Sequence, residues 1–385
     1  MERNLRIMKW VAGTSLPFML GPILHSFYRF YGMDVSFFYY ILAISVVSIF
    51  LFEVPTGVIA DKIGYKKSMI IAVSLLTTSI LMFILVQNKL WFIISEIVFA
   101  LGIAFKSGAD TGLIYDTLVV LDKEDEYLDV YTQIRKFLFV FAGIGSVLSS
   151  ILFSIDPLLP ILINVIFMGS NIVLCFFLEE PIHTKEVERI KFVDQINYVA
   201  KNCIKNIDLM KIFIVSSILY SFYRLSFNTY QPFFLATNLD IRLYGLVFAI
   251  LNVFAFYFSN HAKKIVELIN HRYFEFLFGC LLIGFGLLSI PILYLGVFGM
   301  VSQQFFRALY GPISTKVVNE VTESNVRATT LSAMSFMNNI FAGTLAFTIG
   351  LYTDYINNYQ NTFIIFITLF VILVFNIITS KKSKS

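Results

Sequence analysis

The chain has 385 residues, of which 58% are hydrophobic, 17% aromatic and only 14% charged, where soluble domains carry roughly a quarter charged residues. That balance excludes a water-soluble protein, and a formal net charge of +4 gives no sign of a nucleic-acid partner. The cysteines (Cys175, Cys203, Cys280) form no CxxC and the histidines no HExxH, so neither a disulfide framework, a metal site nor a cofactor is expected.

A bilayer-spanning helix takes about 20 mostly apolar residues. Twelve segments qualify, near 10–31, 36–60, 67–87, 90–120, 130–154, 157–178, 210–236, 242–260, 272–293, 295–319, 327–352 and 359–379. The first follows Arg3, Arg6 and Lys9 as a signal peptide would. It contains His25 and Arg29 and lacks a small-residue cleavage site, so it is read as retained. Between the second and third segments stands EVPTGVIADKIGYKK (53–67), which places Glu53, Gly57 and Asp61 at i, i+4 and i+8 on one helical stripe. Pro55 removes one backbone hydrogen bond and predicts a kink. Gly57 predicts a close backbone approach. Gly64 is expected to make the turn, with Lys66 and Lys67 at headgroup level. Glu53 needs a proton or a cation, for which Arg135 is the candidate.

The longest polar stretch, 179 to 211, divides the segments six and six. The predicted organisation is an all-α membrane protein with bundles at 1–178 and 210–385 and a cytoplasmic linker at 179–209. Shifting the second half by 206 positions lays NLDIRLYGLVFAI (238–250) on GMDVSFFYYILAI (32–44), and SNHAKKIVELINHRY on EVPTGVIADKIGYKK. The halves therefore read as a parallel duplication whose second copy loses its glycines. Most Lys and Arg fall at the termini and in the loops on one side, which puts both termini in the cytoplasm.

Twelve segments in two sets of six, with G57-x-x-x-D61-x-x-G64-Y65-K66-K67 between the second and third, resemble the major facilitator superfamily. The chain departs from the family pattern at Tyr65, where a basic residue is usual. E-x-P-T-G-x-x-A-D, with S-G-A-x-x-x-L-I-Y-D in the fourth segment, is similar to bacterial multidrug or metabolite exporters of that superfamily. The resemblance implies a twelve-helix fold and a gate in which Asp61 caps the start of the eleventh helix near Arg327, with Asp116 in the same network. It also implies that helices 1, 4, 7 and 10 line a cavity. Two exporter features are missing. In the fourth segment the stretch SEIVFALGIAF has Glu96 as its only charge and no arginine, and the fifth keeps only Gly143 and Gly145 of a glycine-proline pattern.

Ionisable side chains inside a membrane cost several kcal/mol unless they face a partner, water or a bundle interior, and so mark candidate sites. His25, Glu96, Arg224, Gln231, Gln303, Gln304, Arg307 and Asn338 are the candidate substrate ligands. Asp110, then Glu96 and Glu53, are the candidate proton carriers. Competing readings are that Lys106 and Asp110 neutralise each other, that His25 is a packing residue, and that Arg29 snorkels to headgroups. The expected activity is proton-coupled export of a small amphipathic or anionic compound by a monomer in the cytoplasmic membrane. Uptake of an anionic metabolite, a non-transporting receptor and a lipid scramblase are the alternatives. No nucleophile–base pair or phosphate loop suggests an enzyme.

Overall fold

The computed structural model describes residues 1–181, 207–269, 272–321, 327–356, 367, 368, 370 and 371. Fourteen α-helices are described: α1 (Glu2–Thr14), α2 (Leu24–Phe30), α3 (Val35–Ile63), α4 (Tyr65–Leu85), α5 (Lys89–Lys106), α6 (Ala109–Val120), α7 (Tyr127–Ile155), α8 (Leu159–Phe176), α9 (Ile207–Ala236), α10 (Ile241–Asn260), α11 (Ala262–Ile269), α12 (Tyr273–Leu288), α13 (Leu293–Val321) and α14 (Arg327–Ile356). Among the described residues eight spans are long and apolar enough to cross a membrane, or nine when the α11–α12 pair, bent by 109°, is taken as one. The chain is an integral, multi-pass helical membrane protein. Most of the linker expected at 179–209 and most of the twelfth segment lie outside the described residues.

Three departures from the expected segments have local causes. The first segment breaks between α1 and α2, where Pro17 and Pro22 lack the N–H that a continuous helix needs. The fourth breaks between α5 and α6 at Ser107 and Gly108, and Gly108 holds φ at +79°, a left-handed conformation that costs glycine little. The loop after α10 contains a short helix, α11, with Lys263, Lys264 and Glu267 set against Ile265, Val266 and Ile269. By contrast α3 runs through Pro55 without interruption. The Thr56 hydroxyl bonds the carbonyls of Phe52 (2.8 Å) and Glu53 (3.3 Å) beside the position that Pro55 leaves without a donor.

The residues form two compact units. One holds 1–34, 44–189 and 240–249, and the other holds 35–43, 190–239 and 250–385. In the first, α4 packs on α5 and α8, and α1 packs on α7. Small residues allow the α1–α7 approach: Gly13 lies against the Phe141 ring and Gly145 against Phe18. Trp10 completes that layer, donating its indole N–H to Ser170 Oγ at 3.1 Å. In the second unit α12 packs on α13 and α9 on α14, and Phe370 stacks on Phe278 with ring centroids 4.7 Å apart. The pairings first-with-fifth and third-with-fourth therefore occur in both.

The duplication also survives in the backbone. After α2, Gly32 (φ +78°) closes a turn in which Met33 N–H bonds Tyr28 O at 3.0 Å and Gly32 N–H bonds Arg29 O at 3.0 Å. After α9, Asn238 (φ +52°) closes the same turn, with Leu239 N–H on Phe234 O at 3.0 Å and Asn238 N–H on Leu235 O at 3.2 Å. Both are left-handed helix terminations that satisfy the last carbonyls. All eight positions match under the 206-residue shift read from the sequence. The segments that follow, 35–43 and 240–249, are the ones that join the opposite unit.

Candidate functional site

On α9, Tyr220, Tyr223, Arg224 and Phe227 recur at i, i+3, i+4 and i+7 and so share one face. The Arg224 guanidinium donates through Nη1 to Asn339 Oδ1 on α14 at 3.0 Å. Arg307 on α13 donates through Nη1 to Asn252 Oδ1 on α10 at 2.9 Å and to Gln304 Oε1 at 3.4 Å, and its Cζ lies 5.8 Å from the Phe227 ring centroid. Among the described residues no carboxylate stands within 4.0 Å of either guanidinium. Both side chains are half-buried. The second unit thus carries two permanent positive charges held by neutral amides.

The remaining predicted ligands on this unit divide. Gln304 is buried behind Arg307 and orients it, its own Nε2 being tied to Met300 O at 3.2 Å. Gln303 turns toward α12, packs on Gly284 and accepts the Tyr230 hydroxyl at 2.5 Å; it is a buried structural residue. Gln231 is buried at 3% exposure. Asn338 donates to the Tyr310 hydroxyl at 2.9 Å, which in turn meets Ser216 Oγ at 2.8 Å. Sequence reading placed Asn338 among the ligands, but the neighbour Asn339 is the residue that reaches Arg224. A one-residue step turns a helix by about 100°, and the apolar pattern around the pair does not say which asparagine faces inward. Asn252 and Tyr310 were missed because a lone Asn or Tyr in an apolar run gives no signal.

In the first unit, Lys106 ends α5 and Asp110 opens α6 across the Gly108 break. Asp110 Oδ1 accepts the Thr111 N–H at 2.7 Å. No ion pair within 4.0 Å joins Asp110 to Lys106. Both instead border a recess with about 450 Å³ of open space, whose other walls are apolar, among them Met8, Val11, Ile114 and Leu138. Lys106 at a helix C-terminus and Asp110 in a first turn each sit where the helix dipole favours their charge. His25 is 2% exposed on α2, and Glu96 is half-buried on α5. Arg29 is exposed.

Gly64 has φ +86° and does make the turn between α3 and α4. The side chains of Asp61, Arg135 and Arg327 lie outside the described residues, as does any capping by Asp61. A Cβ on Gly57 would meet nothing within 4 Å among the described residues. Glu53 is exposed, with no cation within 4.0 Å among the described residues. Asp116 is half-buried on α6.

The carboxylate that serves a helix start here is Glu180, which accepts the N–H groups of Tyr65 and Lys66. Its neighbour Glu179 meets the Met1 ammonium at 2.8 Å and Arg3 Nη2 at 2.6 Å, contacts that hold its carboxyl below the usual range. Asn4, fully buried, clasps the Glu179 backbone, donating to its O at 2.8 Å and accepting from its N at 2.9 Å. Tyr65, which replaces a basic residue of the family pattern, is buried with its ring against Gly112 of α6. The Glu179-Glu180 pair was visible in the sequence, but its distance from the loop it caps gave it no motif.

This arrangement of helices is the major facilitator fold that the sequence resemblance implied. The chain superposes on a mutant of the nucleoside transporter NupG with a TM-score of 0.82 at 14% identity, covering 98% of each chain. It is similar to a POT family transporter in complex with 5-aminolevulinic acid (TM-score 0.76, 12% identity, 98% and 96% covered) and to a D-xylose-proton symporter (TM-score 0.71, 12% identity, 97% and 95% covered). No family model and no curated protein matches the chain.

Proposed function

We propose that the chain is a secondary transporter that exports a small amphipathic or anionic compound in exchange for protons, by alternating access, from a monomer in the cytoplasmic membrane with both termini inside. The observation that carries this reading is the pair Arg224 and Arg307, two half-buried guanidinium groups supported by amides, with no acidic partner within 4.0 Å among the described residues of an apolar unit. Permanent charge in that setting is costly unless a ligand or water meets it. Solved transporters of small molecules that share the fold over nearly the whole chain support the same reading, and a proton symporter is among them. Asp110, beside its recess, is the proposed proton carrier, with Glu96 and Glu53 next. Gly57, Asp61, Gly64, Lys66, Asp116 and Arg327 are the proposed inner gate.

The test uses purified protein in liposomes loaded with a cell metabolite extract, with an imposed pH gradient and mass spectrometry of both compartments. Compounds driven against the proton gradient support export by exchange. Compounds moving with the protons replace it by uptake. Lipid movement without a gradient, or no movement at all, overturns transport by this mechanism.

A further inference from the structure

We infer that the ligand of the second unit is a planar aromatic compound bearing an acid group, bound on the face that carries Arg224, Phe227 and Arg307. The inference rests on the transporter reading and adds a substrate class to it. Its first support is the count of donors. Each guanidinium engages only Nη1 among the described residues, so Nη2 and Nε of both remain for a ligand. An arginine whose remaining edge offers two parallel N–H groups suits a carboxylate or phosphate, which takes two hydrogen bonds in one plane.

The second support is independent of charge. Tyr223 stacks on Phe306 (5.0 Å, 25°), Phe306 on Tyr310 (5.2 Å, 17°), and Tyr310 meets Tyr220 (5.2 Å, 36°). Phe306 is fully buried and backs the array, while the three tyrosines are half-buried and so keep accessible surface. Arg307 adjoins Phe306 in sequence and lies over Phe227, one turn from Arg224. A flat ring laid against this wall gains aromatic contacts while its acid group reaches the arginines. An aliphatic acid gains only the second, and a neutral aromatic only the first.

The experiment measures ligand-induced thermal stabilisation and the resulting dissociation constants of the purified protein in nanodiscs. The probes are 4-hydroxybenzoate and indole-3-acetate, cyclohexanecarboxylate, benzamide, decanoate, and adenosine monophosphate against adenosine. Aromatic acids are expected to bind roughly two- to tenfold more tightly than cyclohexanecarboxylate, with benzamide and adenosine unbound. Preference between the carboxylates and the nucleotide identifies the acid group. Arg307→Lys weakens binding modestly and Arg307→Ala by about a hundredfold. Tyr223→Leu removes the preference for aromatic over cyclohexyl acid. Circular dichroism and a monodisperse elution profile establish that each variant is folded, and the lysine variant keeps the test open where alanine does not fold.

Equal binding of cyclohexanecarboxylate or decanoate overturns the aromatic part, and equal binding of benzamide, unaffected by Arg307→Ala, overturns the acid part. Absence of binding by every probe overturns the inference as a whole. The transporter reading stands or falls separately, on the gradient-driven movement of metabolites in liposomes.

Discussion

The Glu180 carboxylate receives the backbone N–H of Tyr65 at 2.7 Å and, through its other oxygen, that of Lys66 at 2.7 Å. A side chain from the start of the predicted linker, just past the sixth segment, therefore supplies the cap that α4 lacks from its own N-cap residue, Gly64. An anion there satisfies two free N–H groups and meets the positive end of the helix dipole. Replacing Glu180 with Ala is expected to cost about 1–2 kcal/mol, and Glu180→Gln, which keeps one acceptor without charge, about half as much. Thermal unfolding of the two variants in one detergent gives the order. Equal stability of all three proteins would show the cap to be idle.

Tyr65 and Gly112 form the next contact along. The hydroxyl end of the ring stands within 2.8 Å of where a Gly112 Cβ would be, so Gly112→Val pushes the ring out and costs roughly 1–3 kcal/mol. Tyr65→Arg, which restores the residue type usual in the family, buries a guanidinium in an apolar cluster that includes Met69 and Leu113. It is expected to be less stable than Tyr65→Phe when both are compared by unfolding in urea.

A backbone contact of the first unit links α7 to 240–249. Gly245 donates its N–H to Ser150 Oγ at 2.8 Å, and a Cβ there would overlap the Ser146 carbonyl. Ser150→Ala removes that hydrogen bond, at about 0.5–1.5 kcal/mol. Gly245→Val adds the steric term and separates the two helices. Slower transport is expected from Gly245→Val than from Ser150→Ala at matched expression, and a wild-type rate in Gly245→Val would contradict the contact.

Asp110→Asn keeps the Thr111 N–H acceptor and removes the ionisable group. Uphill movement is expected to stop while exchange of substrate down its gradient continues. Persistence of uphill transport in the Asp110→Asn, Glu96→Gln double variant moves the proton carrier elsewhere, with Glu53 the next to examine.

For the proposed gate, Asp61→Asn is expected to leave substrate binding intact and to lower turnover. The charge–dipole interaction it removes is worth about 0.3–1 kcal/mol when exposed and up to roughly 2 when partly buried. Wild-type turnover in both Asp61→Asn and Gly57→Val would remove these residues from the mechanism.

What the sequence by itself determined are the features set by local length and local backbone chemistry. Spanning helices were legible because the bilayer fixes how many apolar residues a helix needs, and most described helices begin and end within a few residues of the predicted segments. The duplication was legible because a 206-residue shift lays Asp34 on Asp240 and Ala43-Ile44 on Ala249-Ile250. The structure adds that Gly32 and Asn238 close the same left-handed turn ahead of the two aspartates. Only the tertiary structure decided which polar side chains meet. Asn339 and not Asn338 holds Arg224, Gln303 is turned away while Gln304 serves Arg307, and Glu180 caps a helix more than a hundred residues earlier in the chain. In a helix hydrophobic on nearly all sides, neither the rotation about its axis nor its neighbours are written in the apolar pattern. Both follow from how side chains from distant segments pack, and pairing partners are fixed only when that packing is complete.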